Sequence, residues 1–414
     1  MAFEAMLTNT SARQRNTSMK SLTVLQVLPN LVSGGVEIGT IDIAKALVQK
    51  GYNAYVVSNG GPLVTKLEQA GAIHIQLPVH SKNPFVMWKN SLALKQVFST
   101  YNIDIVHARS RAPAWSCYWA SQKTKKIKFI TTFHGTYGHH SKLKRWYNGV
   151  MIRSQQTIAV SAFIKEHVLA VYSNKPTAIE VIHRGIDTEK FNPERINEQA
   201  VSTLADAWSV PKNVKVIMLP GRITRWKGHS VLIQALAELK QESIFCLMVG
   251  DDQGKTAYRE ELRQLIQEHQ LEDIVHFVGG CSDMPSAYAL ADIVVSASTD
   301  PEAFGRVACE AQAMNCLAVV TDHGGGRETI APSQKDFLCR PNDVGSLAQS
   351  LTRALKVDRQ SAQEIALVSR EHISQHFSLQ NMCEKTIAVY NKNTQKTSQL
   401  KSDNYAHNQN VPKQ

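Results

Sequence analysis

The sequence predicts an α/β protein made of two doubly wound, Rossmann-like domains that face a cleft. Short apolar, β-branched runs alternate with amphipathic helical stretches, first over residues 22–182 and again over 214–339. Several of the runs end in glycine-containing loops that open a helix, the arrangement that brings backbone close to a ligand. A chain of 414 residues with 43% hydrophobic content has material for roughly two to three packed cores.

In the first half the runs are residues 22–28, 53–58, 74–78, 104–107, 128–133, 157–161 and 179–182. Helices are expected over 38–50, up to residue 70, over 90–101 and over 162–172, the last capped by Ser161. In the second half the runs are 214–219, 243–249, 274–278, 292–296, 317–321 and 337–339. Helices are expected over 230–240, 258–268 and 358–391. The boundaries that follow are a disordered leader over 1–18, a first domain over 19–193 and a polar linker over 194–213. A second domain over 214–370, a crossover helix over 371–391 and a disordered, lysine- and asparagine-rich tail over 392–414 complete the chain. The leader lacks a signal peptide's apolar centre; it also reads as sequence ahead of a start at Met19.

The formal charge of +11 favours an anionic partner: phosphorylated substrate, acidic membrane surface or nucleic acid. No nucleic-acid-binding signature is present, which sets that class last. No apolar run approaches the ~20 residues that span a bilayer. The seven cysteines form no C-x-x-C pair, and no cluster has metal-ligand spacing, so reduced thiols and no metal are expected.

The chemistry-bearing residues sit in the loops. Residues 299–316 read TDPEAFGRVACEAQAMNC, a loop turning into a helix at Gly305. The free N–H groups there suit an anion. Glu302 and Glu310, before and inside that helix, can hold the hydroxyls of one polar ligand at two points; they also read as ordinary surface glutamates. Gly34 and Gly35 follow the first strand. Gly221-Arg222 and Lys227-Gly228 follow the first strand of the second half, a bidentate fork and a point charge fit to neutralise a diphosphate. His134 ends the 128–133 strand, where it can bond a hydroxyl or phosphate oxygen. Arg109 and Arg111 end the 104–107 strand and read as contacts to an anionic acceptor or as a solvated basic loop. Lys142, Lys144, Arg145 and Trp146 read as a patch for an anionic leaflet or as a solvated helix face. Gly250-Asp251-Asp252 also raises a metal-dependent D-x-D transferase, which Gln253 in the third position argues against.

Glu302-Ala-Phe-Gly-Arg-Val-Ala-Cys-Glu310 resembles the E-x7-E signature of retaining glycosyltransferases of family 4, which have the GT-B fold. Gly221-Arg222 with Lys227-Gly228 resembles the family's G-R-x4-K-G, Thr132-Phe-His-Gly135 its donor-sugar histidine segment, and Gly324-Gly-Gly-Arg-Glu328 its GG..E loop. His183-Arg-Gly-Ile-Asp187 resembles its NGVD turn, with Arg184 where Asn is usual, and Asp252 stands where a glycine is usual. The likeness covers residues 22–391. It implies transfer of a sugar from a nucleotide-diphosphate-sugar donor with retention, and a final helix that returns to the first domain. It implies His134, Arg222, Lys227 and Glu302 as catalytic residues. Donor contacts would come from Gly34, Gly35, Gly221, Arg222, Lys227, Gly250, Met284, Glu302, Ala303, Phe304, Gly305 and Glu310, with no metal and no cofactor besides the donor. Arg109 and Arg111, from their place at a strand's carboxyl end, are the expected acceptor contacts. Likeness to bacterial lipopolysaccharide-core enzymes implies an envelope glycan or glycolipid acceptor and a cytoplasmic site, peripheral on the inner membrane. A sugar-nucleotide epimerase and a non-catalytic nucleotide-sugar-binding module are the alternatives on the same fold.

Overall fold

The computed structural model describes residues 21–408 except 123, 125, 173–177, 240–242 and 255, and side chains as far as residue 394. The leader expected over 1–18 lies outside the described residues. The first sheet holds β1 (Thr23–Val27), β2 (Asn53–Ser58), β3 (Ile73–Gln76), β4 (Ile105–Ala108), β5 (Lys128–Phe133), β6 (Gln156–Ala159) and β7 (Ala178–Val181). The second holds β8 (Lys215–Pro220), β9 (Ile244–Val249), β10 (Val275–Gly279), β11 (Ile293–Ser296), β12 (Leu317–Thr321) and β13 (Leu338–Cys339). The orders are β3-β2-β1-β4-β5-β6-β7 and β10-β9-β8-β11-β12-β13, with parallel pairing throughout.

Parallel sheets are covered on both faces, so their strands read as continuous apolar runs rather than alternating ones. β1, β9, β11 and β12 are buried at every position. Each expected run is a strand, offset by at most two residues. In each sheet the order reverses at the central pair, β1/β4 and β8/β11, and the crevice outside the carboxyl ends of such strands is where α/β proteins bind ligands.

The helices depart more from expectation. The helix expected at 90–101 spans Pro84–Thr100, because Asn83 accepts from the Phe85 amide and Pro84 fits the first turn. The basic loop expected after β4 is a helix from Arg111 to Ser121, whose Pro113 lies in the first turn, where no intrahelical N–H is needed. The segment 194–213, expected as a linker, carries a helix, Glu198–Ala207, capped by Asn197. Its Leu204, with Trp208 and Val210, packs on the core of the second domain. The last helical stretch is two helices, Arg359–Phe377 and Leu379–Asn408, broken at Ser378, and the second runs through residues expected as a disordered tail.

The chain crosses between domains at that break. The Ile186 amide donates to the Phe377 carbonyl (2.8 Å) and the Leu379 amide to the Ile186 carbonyl (2.9 Å). Beyond the break, Tyr390 is fully buried in the first domain, and its hydroxyl lies 2.7 Å from His107 Nδ1. A second tie joins the domains from the side. The Glu328 carboxylate accepts from the amides of Ala162 (2.8 Å) and Phe163 (2.7 Å), the start of the helix Ala162–Tyr172, and lies 2.9 Å from His183 Nε2. Burial raises this carboxyl, but His183 and the two amides outweigh it, and its pKa falls below the usual value.

Charge-assisted bonds of this kind contribute about 1.5–3 kcal/mol each, so Glu328→Ala is expected to lower the melting temperature and enlarge the radius of gyration in small-angle scattering. A depressed carboxylate stabilises above its unfolded pKa and is lost as pH falls through its folded one, so the wild type should open on acidification and the variant should not respond. An unchanged radius and melting temperature in the variant would show that Glu328 holds nothing together.

Candidate active site

The second domain contributes two loops. The loop after β8 carries Gly221 and Arg222 and ends in a turn, Arg225–Lys227, before the helix His229–Ala237. The loop after β11 carries Ser298, Glu302 and Gly305 before the helix Arg306–Ala313. Lys227 Nζ donates to Glu302 Oε1 at 2.6 Å, and Ser298 Oγ donates to the same oxygen at 2.6 Å. Both side chains of the ion pair are only 14% exposed. Burial raises the Glu302 carboxyl, but the Lys227 ammonium and the Ser298 hydroxyl outweigh it, and its pKa lies below the usual value. The cation expected to grip phosphate and the carboxylate expected to hold sugar are therefore partners of each other. Arg222 is exposed at the rim, and its guanidinium bonds no side chain among the described residues.

Gly221 lets the Lys227 stem lie across it, 3.5 Å from where a Cβ would stand. Gly250 packs back to back with Gly221, whose carbonyl a Cβ would strike, so its absent side chain serves the contact between two loops. Gly305 has φ +106°, and a Cβ there would meet Gly326 Cα at 2.5 Å, so the 302–305 loop nests on the Gly324–Gly326 loop. Ala303 packs against the first domain's core. Phe304, expected as a donor contact, instead turns its ring into the second domain's core, 6.0 Å from Phe377. Glu310 is 8% exposed and accepts from the Tyr288 hydroxyl at 2.9 Å. Burial raises its pKa, with Arg306 and Tyr288 opposing. Met284 opens the helix Met284–Leu290, which Asp283 caps, and packs half-buried on the same core.

The first domain faces these loops with His134 at the end of β5 and with Gly34 and Gly35, where the helix Gly35–Gln49 begins. Arg184 Nη2 lies 2.9 Å from His134 Nδ1. Arginine only donates, so Nδ1 accepts and the proton of this neutral imidazole sits on Nε2. Burial, then the charges of Arg184 and Arg109, press the His134 pKa well below the usual value. Its Nε2 has no partner among the described residues and is left as a free donor.

Arg109 and Arg111 part company. Arg109 is 5% exposed, faces inward and donates to Gln26 Oε1 at 3.2 Å, so the solvated-loop reading fails for it. Arg111 turns outward, donates to Asn148 Oδ1 at 3.1 Å and lies over the Tyr137 ring. Sequence reasoning noted Arg184 only as a departure and passed over Arg306, although an arginine in a small-residue turn was the available signal.

Two facing α/β domains with a cation pair and two carboxylates in the cleft define a GT-B glycosyltransferase. The chain matches the model described as Glycosyltransferase Family 4 over residues 33–190 and that of glycosyl transferases group 1 over 202–367. A solved glycosyltransferase from Rickettsia africae ESF-5 is 38% identical, covering 90% of this chain and 99% of that one, with a TM-score of 0.84. The chain belongs to glycosyltransferase family 4. Anabaena Alr3699/HepE, solved in complex with UDP-glucose, is 25% identical over 90% of this chain and 100% of that one, with a TM-score of 0.75. WaaG, a glycosyltransferase involved in lipopolysaccharide biosynthesis, shares the fold at 16% identity and a TM-score of 0.66, covering 89% of this chain and 99% of that one.

Removing one partner of a buried pair leaves the other charge uncompensated, at a cost of about 3 kcal/mol. Lys227→Met is expected to lose about that much stability in denaturant titration, and adding Glu302→Gln should recover most of it. A double variant no more stable than the single one would show that the pair is not coupled.

Proposed function

We propose that this glycosyltransferase moves a sugar, with retention at the anomeric carbon, from a nucleoside-diphosphate sugar to an envelope glycan or glycolipid, with lipopolysaccharide core as the acceptor class. The observation that carries the reading is the largely buried Lys227–Glu302 pair, which joins the two signature motifs in one site. When donor binds, Lys227 exchanges the carboxylate for the diphosphate, and Arg222 closes on it from the rim. Glu302, released, accepts from sugar hydroxyls; Glu310 accepts from the ribose; His134 Nε2–H donates to the sugar from the other domain. As the bond from the anomeric carbon to the leaving phosphate breaks, charge builds on the diphosphate, where the two cations and the helix start at Arg306 stabilise it. The acceptor oxygen bonds to the same face, and its proton passes to the departing phosphate oxygen. The cations do this without a metal or a further cofactor. A uridine-diphosphate sugar is the first donor to test, since HepE was solved with one.

The acceptor reading is supported by an outer face of the first domain. Phe85 and Trp88, 60% and 51% exposed, lie on the helix Pro84–Thr100, and Leu143 and Trp146, 74% and 55% exposed, on the helix Lys142–Asn148. Lys82, Leu143, Lys144 and Trp146 are among the residues that line one cavity of about 460 Å³. Apolar side chains rimmed by lysines suit an anionic leaflet. No helix among the described residues is long and apolar enough to cross a membrane.

Thermal shift against UDP, UDP-glucose and their guanosine counterparts is expected to pick one base, with the shift lost in Arg222→Ala and Lys227→Ala. No shift from any nucleotide sinks the donor reading, and donor conversion without acceptor would favour the epimerase. Nucleotide affinity should fall on acidification as Glu310 protonates through its raised pKa and stops accepting; Glu310→Gln should bind more weakly and without that slope. Trp146→Ser with Trp88→Ser should release the protein from phosphatidylglycerol vesicles in flotation, while equal flotation of the variant refutes the membrane face.

A further inference from the structure

The first helix presents Gly35 and Gly39 one turn apart, on one face. Three guanidinium groups lie across that bare strip. A Cβ at Gly35 would collide with Arg184 Nη1 and stand 3.2 Å from Arg306 Nη2; one at Gly39 would stand 3.5 Å from Arg109 Nη2. Arg184 and Arg109 belong to the first domain and Arg306 to the second, so the group closes across the cleft. Among the described residues none of the three has a carboxylate within the 4.0 Å of an ion pair. Glu37 and Asp42, and Glu310 on the Arg306 side, stand farther off and only temper the field. Burial, then Arg306 and Arg109, push the Arg184 pKa down to about 10. Arg109 Nε and His134 Nε2 are buried donors without a partner. A cavity of about 250 Å³, lined by Glu37, Arg109, His134 and Tyr137 among others, opens beside them.

Gathered positive charge without a counter-ion is costly unless something anionic completes it. The diphosphate already has its own cations, Arg222 and Lys227, on the second domain. We propose that Arg184 and Arg306, backed by Arg109, receive a second anionic group, a carboxylate or phosphate carried by one of the two sugars that meet in the cleft. Planar forks suit either oxyanion. The inference deepens the transferase reading and rests on it: the enzyme selects an acidic sugar.

The test uses the full chain and the variants Arg184→Gln, Arg306→Gln and Arg184→Lys, with Lys227→Ala as comparison. The donor arm measures affinity for UDP-glucuronate against UDP-glucose. The acceptor arm titrates UDP-saturated protein with glucose 6-phosphate against glucose. In one arm the wild type is expected to prefer the acidic ligand by about tenfold. Both Gln variants lose that preference while UDP affinity stays within about threefold, and Arg184→Lys keeps part of it. The arm that responds names the sugar that carries the charge. No acidic preference in either arm overturns the proposal. So does a loss of UDP affinity in the Gln variants as large as in Lys227→Ala, since the arginines would then belong to the diphosphate. Should wild type bind no nucleotide, the donor reading fails separately. Inorganic phosphate titrated into the free protein then decides: binding kept in Lys227→Ala and lost in Arg306→Gln supports the site, and the reverse refutes it. Should Arg184→Gln not fold, as circular dichroism shows, Arg306→Gln carries each comparison.

Discussion

Parallel pairing throughout both sheets is the constraint from which the site follows. When every strand runs the same way, every loop that leaves a strand's carboxyl end emerges on one edge. The loops after β1, β4 and β5 thus gather at one rim, and those after β8, β9, β11 and β12 at the other. The same constraint forces helices onto both faces, so the strands become dry and apolar, and the polar groups of the chain collect where the backbone turns. Gly34–Gly35, His134, Gly221–Lys227 and Glu302–Gly305 are all products of that edge.

The two rims treat charge differently. On the second domain, cation and carboxylate are matched: Lys227 and Glu302 satisfy each other at 2.6 Å, and Ser298 steadies the oxygen they share. Each member of such a pair offsets the cost of withdrawing the other from water. At the meeting of the domains the balance is left open, with three guanidinium groups, an imidazole held neutral by one of them, and acids only at a distance. A site can hold matched and unmatched charge side by side only if rigid backbone keeps them apart, and the glycine contacts at Gly250 and Gly305 provide that rigidity in the second domain.

Much of the fold was legible because burial on both faces writes an unmistakable run of apolar residues. All thirteen strands were found that way. Helix limits were harder. The helix expected from residue 90 begins at Pro84, and the loop expected after β4 is a helix with Pro113 in its first turn, where proline fits. The motif residues were legible one by one, since each motif is local in sequence. Their pairing was not: Lys227 and Glu302 are 75 positions apart, and only the β8/β11 neighbourhood brings them together. Arg109 and Arg111 looked alike in sequence, but the chain turns from strand into helix between them and sends one inward and one out. Arg184 and Arg306 matter through each other, and nothing local to either announces the partner.

The crossing at Ser378 has a mechanical meaning. The second domain is, in effect, an insertion: the chain leaves the first domain after Ile186 and re-enters it at Leu379. The two connections are not independent strings, because the Ile186 backbone bonds to Phe377 and Leu379 and lays them side by side. A body held by two adjacent tethers pivots about the line they define and resists sliding or twisting. Arg184 lies two residues from that line, within about 7 Å along the chain, so a swing of the inserted body displaces it little. Arg184 therefore sits near the pivot, where a contact between domains changes least on opening, while Glu328 ties them from the side.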